Sequence, residues 1–370
     1  MREGGLLSSV PCALTPFLFA VCFPPPPQTM STAAHTFRRI VAHDLSVDFR
    51  AATSIVRADF PKELHPKAVL VRNKFVGINA SDINFTAGIY QPDVRPPFGC
   101  GFEAVGEVVA VGSAVLDLKP GAAVATREYG AFAEHQAVAR RHVKLIPSLA
   151  KEYLPLDLSA TTASIALEHV LKPLKGERAV VTAAAGGTGQ FAVQLLKHVY
   201  ACSVVGTCSS EEKAAFLVDK LHCDGAVNYR KEGGQVAAAL RRHYPRGAQI
   251  AYESVGGDLL ESVTASLALR GRIVSLGCVS TYQDGSTEAV ARRTPLPLQL
   301  LAHSASLSTF FLPHFAKYEV AHFERLCALH DKGVIHSFVD PTVFKGLEGV
   351  YDAIDWMFAR KNCGKVVVEL

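Results

Sequence analysis

A chain of 370 residues, 49% hydrophobic and only 19% charged, can build two domains of ordinary size, each with its own core, and excludes a disordered polypeptide. Its 38 Lys and Arg against 34 Asp and Glu leave a net charge of +4 without any basic stripe, so no nucleic-acid partner is expected. Nine cysteines, an odd number with no C-x-x-C pair, lie mostly in apolar runs such as SLGCVS and read as buried thiols in a reducing compartment.

Residues 1–29 stand apart. They hold one Arg, an apolar run from about Ala13 to Phe23 and then an unbroken run of four prolines, Pro24 to Pro27. The run is too short to span a bilayer but long enough for the core of a targeting segment; the prolines argue against a cleavage site. An unstructured leader, or a start upstream of the working one at Met30, is the expectation.

From about residue 31 to 147, KAVLVRNKFVGIN, EAVGEVVAVGSAV and GAAVATREYGAFAEHQAV alternate and are punctuated by Gly, the pattern of short strands in a barrel-like domain. From about residue 159 to 278 the texture changes. Strand-like runs (AVVTAA, SVVGT, GAVNY, QIAYESV, RIVSLGCV) alternate with helical ones (QFAVQLLKHV, EEKAAFLVDKL, LLESVTASLAL), which predicts a parallel sheet covered on both faces. The closing GKVVVEL reads as a strand that rejoins the first domain. The expected organisation is a doubly wound α/β unit over residues 159–298, inserted in a β-rich unit of residues 30–158 and 299–370.

Within the α/β unit, Val180 and Val181 end a strand, while Phe191, Leu195 and Val199 fall at i, i+4 and i+8 of a helix. Between them run Ala183, Ala184, Ala185, Gly186, Gly187, Thr188 and Gly189, an A-x-x-G-x-x-G turn. Small residues let the backbone approach a pyrophosphate, whose charge then rests on N–H groups at the helix start, and Gly189 lets strand and helix pack closely. In this strand-to-helix setting the pattern is a strong sign of a dinucleotide. The next strand, SVVGT, ends in Thr207, Cys208, Ser209 and Ser210, without the Asp or Glu that would meet a ribose 2′-hydroxyl. Glu211 and Glu212 follow, but Ser209-x-x-Glu212 matches a capping box and assigns them to the helix start. Ser209, Lys213 and Tyr229 therefore favour a 2′-phosphate, hence NADPH; the alternative for Lys213 is a solvated helix lysine.

The segments NASDIN, PPFGCGFEAVGEVVAVG, VTAAAGGTGQFAVQLLK, GTCSSEEKAAFL, YESVGG and GKVVVEL resemble those of the medium-chain dehydrogenase/reductases, from about Phe37 to Leu370. The match is closer within the zinc-less, quinone oxidoreductase-like branch that holds the prostaglandin reductases. The resemblance implies a GroES-like catalytic domain around a Rossmann domain, a homodimer, and NADPH-dependent reduction of the 13,14 double bond of 15-oxoprostaglandins. Zinc alcohol dehydrogenases place a Cys ligand in the segment matching GINASD and a His ligand in that matching GFEAVGEVVAVG. Asn79 and Phe102 stand there, beside Glu103, and the cysteine-rich lobe for structural zinc is missing, so no zinc is expected.

Reduction of an enone needs a hydride at the β-carbon and hydrogen-bond donors for the enolate oxygen. The resemblance places Tyr282, in VSTYQDG, near the nicotinamide ribose and the substrate carbonyl, as a donor or as a loop tyrosine that merely packs. Asn79 offers an amide donor or a structural turn, and Asp82 reads as a turn or capping residue. Tyr90 is expected at the substrate mouth. Phe310, Phe311 and Leu312 match a segment that passes the nicotinamide in the family, Phe311 and Leu312 towards the cofactor and Phe310 towards the substrate; aromatic core filler is the other reading. Ser164 departs from a family Tyr and leaves part of the pocket open. A quinone or 2-alkenal reductase, and a nucleotide-bound interaction protein without turnover, are the rival functions. No membrane span is expected. The C-terminal EL is not an SKL-type signal, and cytoplasm, peroxisome and mitochondrion all stay open. The fourteen histidines receive no role.

Overall fold

The computed structural model describes residues 36–91, 93–282 and 295–370; the leader expected over residues 1–29 lies outside them. Two sheets dominate. In the β-rich part, strands β1 (Thr36–Ala42) and β2 (Thr53–Asp59) pair with each other, and β4 (Phe98–Gly99) extends β1. The larger sheet is built on β3 (Ala68–Gly77), a run dense in Val and Leu with its inward residues Val69, Val71 and Val76 completely buried. Strand β5 (Glu103–Val111) lies antiparallel along one edge of β3, followed by β6 (Ala123–Arg127) and β8 (Val143–Leu145). On the other edge, β7 (His135–Ala139) covers the first half of β3, and β16 (Val367–Glu369) covers its end, flanked by β15 (Phe344–Lys345). The closing GKVVVEL thus does rejoin the first domain.

The second sheet is parallel throughout, in the order β11–β10–β9–β12–β13–β14. Its strands are β9 (Arg178–Val181), β10 (Ser203–Cys208), β11 (Gly225–Asn228), β12 (Ala248–Glu253), β13 (Leu267–Ser275) and β14 (Ser306–Thr309). Val180, Val181, Val204 and Val205 are all inaccessible to solvent, as a sheet covered on both faces requires. The expected boundary at 298 leaves out β14, whose short SLST run shows no apolar alternation; backbone pairing with β13 recruits it. The LAL of LLESVTASLAL is likewise strand rather than helix, because the helix stops at Ala265 and β13 begins at Leu267.

Strand order reverses beside β9, with β10 on one side and β12 on the other, which opens a crevice at the carboxyl ends of these strands. The helix leaving β9 starts at Gly189 and continues helically to Val199, with Phe191 and Leu195 on the buried side. Its two glutamines, Gln190 and Gln194, are buried as well. Gln190 exchanges hydrogen bonds with the backbone of Phe338 (2.8 and 2.9 Å), and Gln194 does the same with His336 (2.7 and 2.9 Å). Two glutamines one turn apart therefore bind the returning C-terminal stretch to the helix that leaves β9. Among the described residues, no helix is long and apolar enough to cross a membrane.

A Cβ on Gly189 would lie 2.3 Å from the carbonyl oxygen of Ala183, a backbone atom that cannot retreat. Gly189→Val is expected to lower the unfolding free energy by ~1–3 kcal/mol through overpacking, whereas Gly234→Ala, where a Cβ meets nothing within 4 Å, leaves it unchanged. Urea unfolding of the two variants checks this.

Candidate active site

The turn after β9 brings bare backbone to the crevice. Ala183 takes a left-handed conformation (φ 46°), and its carbonyl accepts from Gly186 N at 2.9 Å, closing the turn ahead of the helix. Gly364, from the C-terminal stretch, donates its N–H to Ala185 O at 2.8 Å and crosses over the loop. A Cβ on Gly187 would press on the Lys365 side chain at 3.1 Å. Ala183, Gly186, Gly187, Thr188 and Gly189 all line one cavity of about 790 Å³. A surface without side chains at a helix start is what a dinucleotide diphosphate requires.

At one end of this cavity stand Ser209, Lys213 and Tyr229, brought together by the tips of β10 and β11 and the following helices. The helix cap is not Ser209. The Ser210 hydroxyl accepts from Lys213 N at 3.2 Å, one residue later than the capping-box spacing suggested, so Ser209 keeps its hydroxyl at the cavity wall. Tyr229 opens a short helix instead of ending β11. Lys213 is no solvated helix lysine: its Nζ donates to Arg360 O at 2.9 Å, and burial holds its pKa below the ordinary lysine value. Arg360, which the sequence did not single out, lines the same end and donates to the Tyr229 hydroxyl at 3.4 Å. The Thr207 hydroxyl, buried at the wall, has no hydrogen-bond partner among the described residues. An orphaned hydroxyl beside two cations and two further hydroxyls fits a phosphorylated ribose.

At the floor, the structure corrects the role expected of Asn79. Its Oδ1 accepts from Lys365 Nζ at 2.6 Å, while its Nδ2 donates to Glu103 Oε1 at 3.0 Å and approaches Gly77 O at 3.4 Å. Both ends of the amide are spent inside the protein, so it holds the floor and does not reach out as a donor. Lys365, with its side chain only 3% exposed, also meets Glu103 Oε1 at 2.5 Å and Ser159 Oγ at 3.5 Å. Asp82 accepts from Asn79 N at 2.7 Å, as a turn residue does. Burial, aided by the charge of Glu103 and opposed by the Asn79 amide and Lys365, raises the pKa of its carboxyl from 3.8 to about 8. Where zinc alcohol dehydrogenases place their Cys and His ligands, this cavity thus carries an amide with both ends bonded and the phenyl ring of Phe102, beside a carboxylate paired to an ammonium.

Opposite the loop, Tyr282 and Tyr90 meet hydroxyl to hydroxyl at 3.3 Å, and Cys278 N donates to the Tyr282 oxygen at 3.4 Å. A Cβ on Gly277 would fall 2.4 Å from that oxygen, so the glycine of LGCVSTY makes room for it. Burial, then Tyr90, pushes the Tyr282 phenol above its ordinary pKa, so it remains a donor at neutral pH. Phe102 and Tyr129 pack against each other at 4.8 Å and form an apolar side of the cavity. Phe310, Phe311 and Leu312 also line it, but with roles redistributed. Phe310 is 6% exposed and stacks on Phe315 at 4.8 Å as core, while the 44% exposed Phe311 reaches Tyr90 at 5.8 Å. Ser164 is buried and bonded to His322 at 2.8 Å, away from the cavity. The Cys278 thiol of SLGCVS is exposed, not buried, because the chain leaves the sheet after Ser275.

A family model described as alcohol dehydrogenase GroES-like domain matches residues 65–148, and one described as zinc-binding dehydrogenase matches residues 187–326. The chain is 45% identical to prostaglandin reductase-3 of Mus musculus over 92% of this chain and 91% of that one. The chain belongs to the medium-chain dehydrogenase/reductase family. Within this oxidoreductase family it sits in the quinone oxidoreductase-like branch. It is 43% identical to a probable quinone oxidoreductase of Leishmania amazonensis, over 90% of this chain and 98% of that one. A mycobacterial protein solved in complex with NADPH superposes with a TM-score of 0.76 at 25% identity, covering 90% of this chain and all of that one. The quinone oxidoreductase of Escherichia coli shares the fold, with a TM-score of 0.77 at 24% identity over 90% of this chain and 100% of that one.

The raised Asp82 pKa carries a stability consequence for this medium-chain reductase. From about pH 4 to pH 8 the unfolded chain releases this proton while the folded chain keeps it. The carboxyl's contribution is therefore complete below pH 4 and lost as pH climbs towards 8. Asp82→Asn is expected to gain stability relative to the parent over that window, by up to a few kcal/mol, and no further above it. Unfolding midpoints at pH 5, 7 and 9 check the trend.

Proposed function

We propose that the chain reduces the carbon–carbon double bond of an α,β-unsaturated ketone with NADPH, without a catalytic metal, and that a 15-oxoprostaglandin-type lipid is its acceptor. The observation that carries this reading is the Tyr282–Tyr90 hydroxyl pair, set between the glycine loop and an apolar wall in one cavity. The relatedness to a prostaglandin reductase over nine-tenths of the chain supports the acceptor class.

Bound NADPH supplies the hydride that the β-carbon receives. The chain's own residues do the rest. The turn from Ala183 to Gly189 seats the diphosphate, and Ser209, Lys213, Tyr229 and Arg360 hold the 2′-phosphate. As negative charge develops on the carbonyl oxygen, the Tyr282 hydroxyl donates to it, with Tyr90 bonded behind it. The α-carbon then takes a proton from water. Lys365, held under the cavity by Glu103 and Asn79, fixes the floor on which the acceptor rests. Phe102, Tyr129 and Phe311 offer the acyl chains apolar surface, at ~0.8 kcal/mol per methylene buried. A homodimer would find an edge to pair on in β14, three of whose four residues are exposed.

The second reading, a quinone reductase, is favoured by the Leishmania relative. NADPH oxidation with 15-oxoprostaglandin E, a 2-alkenal and an ortho-quinone separates the two; fastest turnover of the prostaglandin is expected, and quinone turnover alone overturns the proposal. Tight NADPH binding with no turnover of any acceptor would favour a nucleotide-bound interaction protein. Tyr282→Phe should lower kcat on the order of 10²-fold with the NADPH dissociation constant unchanged, in stopped-flow and fluorescence titration respectively. Lys213→Ala and Arg360→Ala should each raise the KM for NADPH about 10-fold or more and leave that for NADH in place.

A further inference from the structure

Away from the cavity, the run from Thr161 to Leu171 packs against the helix Glu319–Asp331. There Glu168, His169 and His322 bring one ligand atom each to within 4.8 Å of one another. The Nε2 atoms of His169 and His322 face each other at 3.3 Å, near enough for one ring to donate to the other or for both to turn to a common partner. Two imidazole ligands at ~2.0–2.1 Å on a tetrahedral zinc stand about 3.3–3.4 Å apart, which is this separation.

The surroundings are those of a ligand set. His322 is buried to 6% exposure, and its Nδ1 lies 2.8 Å from the Ser164 hydroxyl. A proton on Nδ1 donated to Ser164 leaves the Nε2 lone pair aimed at His169, the arrangement by which a second partner orients a metal-bound imidazole. The His169 ring lies flat on Tyr318, 3.9 Å between centroids and 21° between planes, which fixes its direction. Arg325 holds Glu168 Oε2 at 2.6 Å, and a ligating carboxylate commonly keeps such a hydrogen bond. Glu168 is exposed and His169 half-buried, so an ion can enter from solvent.

We propose that Glu168, His169 and His322 bind a divalent transition ion of the zinc class, with water as fourth ligand. The site is separate from the dinucleotide cavity. It clamps the segment carrying Ser159 to the helix whose first residue, Glu319, lines that cavity and pairs with Arg127. It does not depend on the proposed reaction.

Chelator-treated full-length protein titrated with Co²⁺ should develop the visible absorption of tetrahedral cobalt, saturating near about one equivalent per chain. Zn²⁺ should displace it and raise the melting temperature. His322→Asn and His169→Gln should both abolish the band and the melting shift, and Glu168→Gln should weaken Co²⁺ about 10-fold. If His322→Asn fails to fold, the half-buried His169→Gln decides. No band and no melting shift in the parent protein would overturn the proposal and leave a simple imidazole hydrogen bond. A band that survives in His169→Gln would overturn it too, by placing the ion elsewhere.

Discussion

The ammonium of Lys365 is the charge on which the cleft is organised. Taking it out of water costs several kcal/mol, and only well-placed partners repay that. Glu103 supplies the opposite charge, with Asn79 and Ser159 completing the shell. Those partners come from β5, from the loop after β3 and from the helical run that leads to the parallel sheet, while the lysine belongs to the C-terminal stretch. One buried cation thus ties together segments separated by up to 286 positions along the chain, at the floor of the cavity. The same side chain lies against Gly187, so the loop proposed for the diphosphate and the floor beneath the substrate rest on a common support.

From that support the cavity grades in character. Cations and hydroxyls gather at the Lys213 and Arg360 end, bare backbone follows in the middle, and phenols with aromatic rings close the other side. Each region is suited to one part of a reductase's ligand pair: phosphate, diphosphate, and an apolar acceptor with a single polar oxygen. Tyr282 and Tyr90 both bring hydroxyls to that third region, and their contact at 3.3 Å makes them a pair.

How much of this is legible in the chain alone follows the range of the interactions. The glycine turn, the i, i+4 helix behind it and the alternating strands are local patterns, and the fold derived from them stands. Closely spaced ambiguities were less secure. Ser209 and Ser210 are chemically alike, and only the geometry of the turn decides that Ser210 caps; Phe310 and Phe311 are neighbours, yet the first is buried against the core at the cavity wall and the second stands exposed in it. Partners distant in sequence were invisible. Asn79 looks like an available donor until Glu103 and Lys365 consume both ends of its amide. Arg360 reads as one more surface cation until its helix end is folded over Lys213 and Tyr229. His169 and His322 stand 153 positions apart, and nothing in either local context hints at the other.

The return of the tail across the glycine turn has a consequence for biogenesis. Gly364 and Lys365 are synthesised after every strand of the parallel sheet, yet they pin the Ala185 carbonyl and the floor beneath Gly187. Strands β9 to β13 can pair during synthesis, because domains tend to form from the amino end onward. The cavity, however, remains unfinished until this later segment arrives and β16 closes on β3. Removing the segment from Gly364 to Leu370 would therefore undo the cover over the glycine turn and the edge of the larger sheet together.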